Sequence, residues 1–162
     1  WIVSDIKWVT TPNEEIDAIE NTNVKTTAIV NDEFKNVIGD LTPSVGTGTI
    51  QLTSYKPNEL IYNFNSSKDE LVVFSEIWTS KGWTMWIDGK ESPLIRADYI
   101  LRAAVVPAGN HEIMMRYEPK IWKVGNTIQF ISSLILILGL ITAIVISIKA
   151  KRQQQIANSQ QP

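Results

Sequence analysis

Ile128–Ile148 is a run of 21 residues without a single charge. As an α-helix it is about 31 Å long, close to the hydrocarbon thickness of a bilayer. A helix apolar on every side needs either a large protein core or lipid, and a chain of 162 residues is too small to supply that core. Basic residues stand at both ends: Lys120 and Lys123 before the run, and Lys149, Lys151 and Arg152 after it. Ser132, Ser133, Thr142 and Ser147 fit as well, because a hydroxyl can bond back to the carbonyl one turn earlier. Trp122 lies just outside, where an amphipathic ring suits the headgroup level. The run predicts one transmembrane helix and leaves the rest of the chain to fold in water.

Charge divides at the same place. All 17 acidic residues lie at or before Glu118, against 10 Lys and Arg there, a net −7. An acidic body of this kind argues against nucleic acid, which needs a basic patch. The Lys149–Arg152 cluster favours a cytoplasmic C-terminus and places residues 1–120 on the extracytoplasmic side. No cysteine is present, so disulfides and thiolate metal sites are excluded. Residue 1 is Trp, with neither an initiator Met nor a signal peptide ahead of the domain. The expectation is that this is the C-terminal piece of something longer, with a signal peptide removed or earlier membrane helices upstream.

Along the chain the β signals dominate. Trp1–Val9 is apolar and β-prone and reads as one strand. Thr11-Pro12-Asn13-Glu14 reads as a capping box opening a short helix to about Glu20, with Ile16 and Ile19 on one face. Thr26–Val30 is a β-branched strand, Asn31–Phe34 a second short helix start, and Asp40–Thr49 a loop. Ile50–Tyr55 and Leu60–Asn65 flank a proline turn, Lys56–Glu59. Leu71–Trp78 is almost continuously apolar, as expected of a strand covered on both faces. Asp88-Gly89 marks a hairpin between Trp83–Ile87 and Lys90–Ile95. Pro107–Asn110 predicts a second hairpin, between Tyr99–Val106 and His111–Tyr117.

About eight short strands at regular spacing predict a mainly β fold. It is an antiparallel β-sandwich with one or two short N-terminal helices, followed by one C-terminal transmembrane α-helix. The expected organisation is an α+β lead-in over residues 1–49 packed on the sandwich, core strands over 50–119, a juxtamembrane linker over 120–127, the membrane helix at 128–148, and a disordered cytoplasmic tail over 149–162. So short a linker is no flexible stalk.

The residues that could carry chemistry are few. Trp78, Trp83 and Trp86 stand around Gly82. They can fill the sandwich core or its lid, or one can offer a flat face for stacking on sugar rings. Strand alternation puts Trp83, Met85 and Ile87 on one side and Trp86 on the other. Glu76 interrupts the most apolar strand, so its carboxylate needs a partner or a wet strand end. Arg96 and Arg102 are the available cations, either in a structural ion pair or as a bidentate site for phosphate or carboxylate. A glycosidase-like pair of Glu76 and Asp88 is arithmetically available, but the hairpin turn already explains Asp88. His111 is the only histidine, which leaves no multi-histidine metal site. There is no glycine-rich phosphate loop and no nucleophile elbow.

Several motifs in Leu71–Pro119 occur in a telling order: Val72-Val73-Phe74-Ser75-Glu76, Gly82-Trp83, Ile87-Asp88-Gly89-Lys90, Arg96-Ala97-Asp98-Tyr99-Ile100-Leu101-Arg102, Pro107-Ala108-Gly109 and Tyr117-Glu118-Pro119. Together with Trp1-Ile2-Val3, Asn13–Ile16, Ala28-Ile29-Val30 and Tyr55–Asn58 upstream, this block resembles the C-terminal region of YfhO-like bacterial membrane proteins. The likeness covers most of residues 1–148. Where most relatives read Tyr-x-x-Gly-Trp, this chain has Trp78-Thr79-Ser80-Lys81-Gly82-Trp83, one residue longer.

The resemblance implies a long polytopic protein of the GT-C glycosyltransferase type, using a lipid-linked sugar donor to modify a cell-surface glycan or polymer. In such enzymes the catalytic acid lies in an early extracytoplasmic loop, so no catalytic residue is carried over to this chain. Its implied role is accessory or acceptor-binding, with Glu76, Trp78, Trp83, Trp86, Arg96 and Arg102 as candidate ligand or interface residues. No metal or cofactor is expected in this fragment. The expected partners are the lipid bilayer, the remaining membrane helices of the parent, and a glycan or lipid-linked sugar. The expected location is the bacterial cytoplasmic membrane. The alternative is a single-pass, membrane-anchored carbohydrate- or protein-binding surface module.

Overall fold

The computed structural model describes residues 1–43 and 48–159. It divides into two units, Trp1–Glu118 and Pro119–Pro162.

The first unit opens as a small α+β lead-in: β1 (Asp5–Val9), α1 (Pro12–Glu20), β2 (Thr27–Asn31), a 3₁₀ turn (Asp32–Phe34) and α2 (Lys35–Ile38). The capping box forms at α1, where the Glu14 amide donates to the Thr11 hydroxyl. The Glu14 carboxylate reaches back one residue further than expected, accepting from the Thr10 amide and hydroxyl. β1 and β2 pair in parallel with α1 as their crossover, the one parallel pairing among the described strands. Trp1–Val9 is two segments rather than one strand. Trp1 and Val3 bond to Val73 and Leu71, and the chain then leaves at Ser4 to pair with β2.

Eight further strands form the sandwich: β3 (Thr49–Lys56), β4 (Glu59–Ser66), β5 (Glu70–Ile77), β6 (Trp83–Ile87), β7 (Lys90–Ser92), β8 (Ile95–Ala97), β9 (Leu101–Val106) and β10 (Gly109–Tyr117). One sheet has the order β3-β4-β10-β6-β7 and the other β5-β9-β8, and all pairings within both are antiparallel. Between the sheets lie Leu60, Tyr62 and Phe64 from β4, Val72 and Phe74 from β5, Met85, Ala104, Val106, Ile113 and Met115. On its other face the three-stranded sheet packs against the lead-in, where Leu71, Val73, Ile95, Ala97 and Ala103 meet Val3, Ala28, Val30 and Ile38. β5 is therefore buried on both sides, as its unbroken apolar run requires. Each fully buried aliphatic side chain contributes about 1.5–3 kcal/mol to this arrangement.

Two sequence expectations are corrected. Pro107–Asn110 is not a hairpin: β9 pairs with β5 and β8, whereas β10 pairs with β4 and β6, so this turn carries the chain from one sheet to the other. Pro107 has no amide to offer a ladder, and Asp69 Oδ1 holds the turn by accepting from the Ala108 amide. Likewise Lys90–Ile95 splits into β7 and β8 in different sheets, with Pro93 at the switch. The Asp88-Gly89 hairpin does form, with φ of 50° and 79°, the left-handed pair that a primed turn demands. Of the expected Asp40–Thr49 loop, residues 44–47 lie outside the described residues, and Thr49 opens β3.

The second unit is one helix, α3 (Lys120–Ser159). Val124–Arg152 is long and apolar enough to cross a membrane, and Thr142 donates to the Leu138 carbonyl one turn back. Residues 120–127, expected as a linker, form its opening turns. Helix also continues through most of the tail expected to be disordered, a segment rich in helix-forming Gln, Ala and Lys. Residues 160–162 lie outside the described residues.

Candidate functional site

The candidate side chains fall on three surfaces of the sandwich. Arg102, on β9, points between the sheets and is only 3 % exposed. Its guanidinium carbon sits 3.9 Å from the centre of the Trp83 ring, and Trp83 in turn packs against Tyr117 at 5.6 Å. Burial lowers the Arg102 pKa, with the Glu76 charge opposing the shift. Its Nε and Nη1 have no hydrogen-bond partner. Glu76 stands half-buried at the frayed end of β5, beside a β-bulge and between exposed Ser75 and Ile77. That is the wet strand end its carboxylate needs. Tyr62, against Phe74 in the same region, is pushed up to about 12 chiefly by burial and then by Glu76. Gly82 is fixed by this cluster: at φ +95° an added Cβ would run into the Tyr117 ring.

Arg96 lies directly across from Arg102 in the β8–β9 ladder, yet its guanidinium goes elsewhere. It reaches Glu15 on α1 at 3.2 Å and Glu33 at 3.8 Å, and it donates to the Tyr99 carbonyl. Glu15 is fully buried and accepts from the Tyr99 amide at 2.9 Å. Next to it, Asp98 accepts from the Ile29 amide at 2.9 Å. Burial raises the Asp98 pKa to about 6, with the Glu15 charge adding to the effect. Both Asp98 and Tyr99 hold positive φ, at 49° and 70°. The Arg96–Arg102 motif thus bolts the lead-in to the three-stranded sheet. The expected apolar face of α1 is corrected accordingly: Glu15 and Ala18 are buried, while Ile16 is exposed. Sequence reasoning missed Glu15 and Asp98 because a carboxylate on a short helix or at a strand end looks solvated until its partners are known.

The three tryptophans separate. Trp78 meets the lead-in, edge-on to Phe34 at 6.2 Å. It shares with Trp83 the wall of a small pocket of about 170 Å³. Trp83, Met85 and Ile87 belong to the inter-sheet core. Trp86 faces out from the five-stranded sheet, directly across from Met114 on β10 and Glu91 on β7. On this outer face β3, β4 and β10 bound a shallow groove of about 550 Å³ whose walls include Gln51, Asn63, Asn65, Asn110 and Glu112. None of these five was singled out by the sequence. His111 lies at the same end, its Nδ1 2.6 Å from Asp88 Oδ2 and its Nε2 3.1 Å from the Ala108 carbonyl. The Asp88 carboxylate raises the His111 pKa. Among the described residues, no group of three His, Cys, Asp or Glu side chains is placed to hold a metal ion.

A family model described as "Bacterial membrane protein YfhO" matches residues 20–129, from the end of α1 into the start of α3. The chain belongs to the YfhO family. Its membrane association follows from that membership and from a helix long and apolar enough to span, Val124–Arg152. A curated relative, the "Uncharacterized protein YfhO" of Bacillus subtilis (strain 168), is 28% identical over 82 residues. The aligned stretch is 51% of this chain and 9% of that protein, so the chain spans a small part of the relative's length. No solved structure matches it. In this YfhO chain the matched region contains Glu76, Trp78, Trp83, Trp86, Arg96 and Arg102, that is, the inter-sheet cluster, the lead-in bolt and the outer-face tryptophan.

Proposed function

We propose that this chain is the extracytoplasmic domain and last membrane helix of a longer YfhO-family protein in the bacterial cytoplasmic membrane, with its C-terminus in the cytoplasm. The whole protein acts as a glycosyltransferase that draws on a lipid-linked sugar. In that reaction the bond between the anomeric carbon and phosphate breaks and a bond to an acceptor hydroxyl forms, with a carboxylate upstream of this chain taking the hydroxyl proton. The domain described here holds acceptor or donor glycan and does no chemistry of its own.

One observation carries the accessory role. The buried carboxylates Glu15, Glu70 and Asp98 each spend one oxygen on a hydrogen bond within the fold, to the Tyr99 amide, the Ser66 hydroxyl and the Ile29 amide, and Glu15 also faces Arg96. The test uses the whole protein in liposomes with a polyprenyl-phosphate sugar donor. Glu76→Gln and Glu112→Gln are expected to keep transfer within about tenfold of the wild type. Losing a general acid or base costs about 10²–10⁴, so a drop of that size in a folded variant would move the chemistry into this domain. Absence of transfer by the wild type would remove the glycosyltransferase reading itself.

A further inference from the structure

The outer face of the five-stranded sheet has an unusual composition. Strand register aligns Thr49, Asn65 and Asn110 in one row across β3, β4 and β10, and Gln51, Asn63 and Glu112 in the next. The row beyond is Ile61, Met114 and Trp86. A solvated sheet face is ordinarily built from Thr, Lys, Glu and other residues that tolerate a strand. Asn is depleted in strands because its short amide competes with the ladder. Here three Asn and one Gln occupy neighbouring outward positions of three adjacent strands. The same face changes character at the row of Glu59 and Arg116, where Glu59 accepts from Arg116 Nε and Nη2.

From these observations we infer that this face is a binding site for a neutral oligosaccharide. The inference rests on the accessory reading above and gives it a location and a ligand class. Side-chain amides each offer a donor pair and an acceptor, which suits the vicinal hydroxyls of a sugar. Neighbouring strands are about 4.8 Å apart and successive outward rows about 7 Å apart, so the three rows form a track for a short oligosaccharide. Trp86 closes one end of the track with a half-buried aromatic face, diagonal to the Glu112 carboxylate. The Asn65 amide already hydrogen-bonds Asn110, which orders one wall before any ligand arrives. No Lys or Arg lies in the three rows, while the domain as a whole carries −7 up to Glu118. That charge repels a polyanion and leaves uncharged sugars as the ligand that fits.

The test uses the full 162-residue chain in nanodiscs, with maltohexaose, chitohexaose and a galactose hexasaccharide as probes and poly(glycerol phosphate) as the anionic comparison. Saturation-transfer NMR and titration calorimetry should detect at least one neutral hexasaccharide at a Kd of about 1 mM or below. Trp86→Ala, and separately the Asn63→Ala/Asn110→Ala pair, should weaken it by about tenfold or more, as loss of a central contact does. Trp86→Phe should retain more of the binding. Unchanged thermal unfolding of these exposed-face variants separates a lost site from a lost fold. Failure to bind any neutral probe, binding indifferent to these substitutions, or a preference for poly(glycerol phosphate) would each overturn the inference. Sugar transfer retained by a whole protein that binds no oligosaccharide here would sink this site alone. Binding without transfer would sink the enzyme reading and leave the site standing.

Discussion

Asp98 should make the domain less stable at neutral pH than in mild acid, and Asn should relieve it. The residue is 6 % exposed, and one carboxylate oxygen, Oδ2, has no hydrogen-bond partner. Burial, reinforced by the neighbouring Glu15 charge, raises its pKa from 3.8 to about 6, with the Ile29 hydrogen bond pulling the other way. Because the folded-state value is the higher one, the native state holds the proton more tightly than the unfolded chain. Stability is therefore undiminished below about pH 4, falls as pH rises toward 6, and stays reduced above that. A rise of that size corresponds to up to about 3 kcal/mol. Asp98→Asn keeps the acceptor for the Ile29 amide and tolerates φ of 49°. At pH 8 the variant should gain up to about 3 kcal/mol, roughly 10 °C in Tm for a domain of this size. At pH 4 the two proteins should nearly coincide. Near-UV circular dichroism of the full chain in detergent follows the domain, since five of its six tryptophans lie before Glu118. A Tm difference that is the same at pH 4 and pH 8, or an Asn variant less stable at pH 8, refutes the reasoning.

Two further outcomes follow from the same packing. Arg102→Met should be as stable as the wild type or more so, because it removes a buried charge with unpartnered nitrogens while filling its space. Arg102→Ala should lose about 2–4 kcal/mol to the cavity beside Trp83, and denaturant unfolding that finds Met as damaging as Ala would show that the guanidinium itself is needed. The Asp88–His111 pair should be strongest between the two pKa values: the histidine's share is lost as pH rises through its raised value, the aspartate's as pH falls through its lowered one. Asp88→Asn should bring the lone imidazole back toward 6.5 in an NMR titration, and an unmoved midpoint would break the link.

What could be read from the sequence was local. Thr11 and Glu14 announced α1, Asp88-Gly89 its hairpin, Pro57 its turn, and the unbroken run at Leu71–Phe74 a doubly covered strand, because each depends on neighbours a few residues away. The family motifs located the region but not the roles within it. Arg96 and Arg102 stand six residues apart and face each other in a ladder, yet one anchors the lead-in and the other stacks on Trp83. The groove was invisible because Asn110 and Glu112 reach Asn65 and Asn63 only through strand order, and strand order is a long-range property. For the same reason Pro107–Asn110 looked like a hairpin: turn chemistry shows where a strand ends, not which sheet receives the next one.

The order β3-β4-β10-β6-β7 puts the last strand made at the centre of its sheet. Without Gly109–Tyr117 between them, β4 and β6 each have an open edge. A protein stopped before that strand would present two bare, apolar-backed edges, the template on which chains stick to one another. The keystone is followed within a few residues by α3, so the sheet is complete only where the membrane-spanning helix is about to begin. A nonsense codon between Ser92 and Gly109 would leave both edges bare, an aggregation-prone remnant and not a smaller working module.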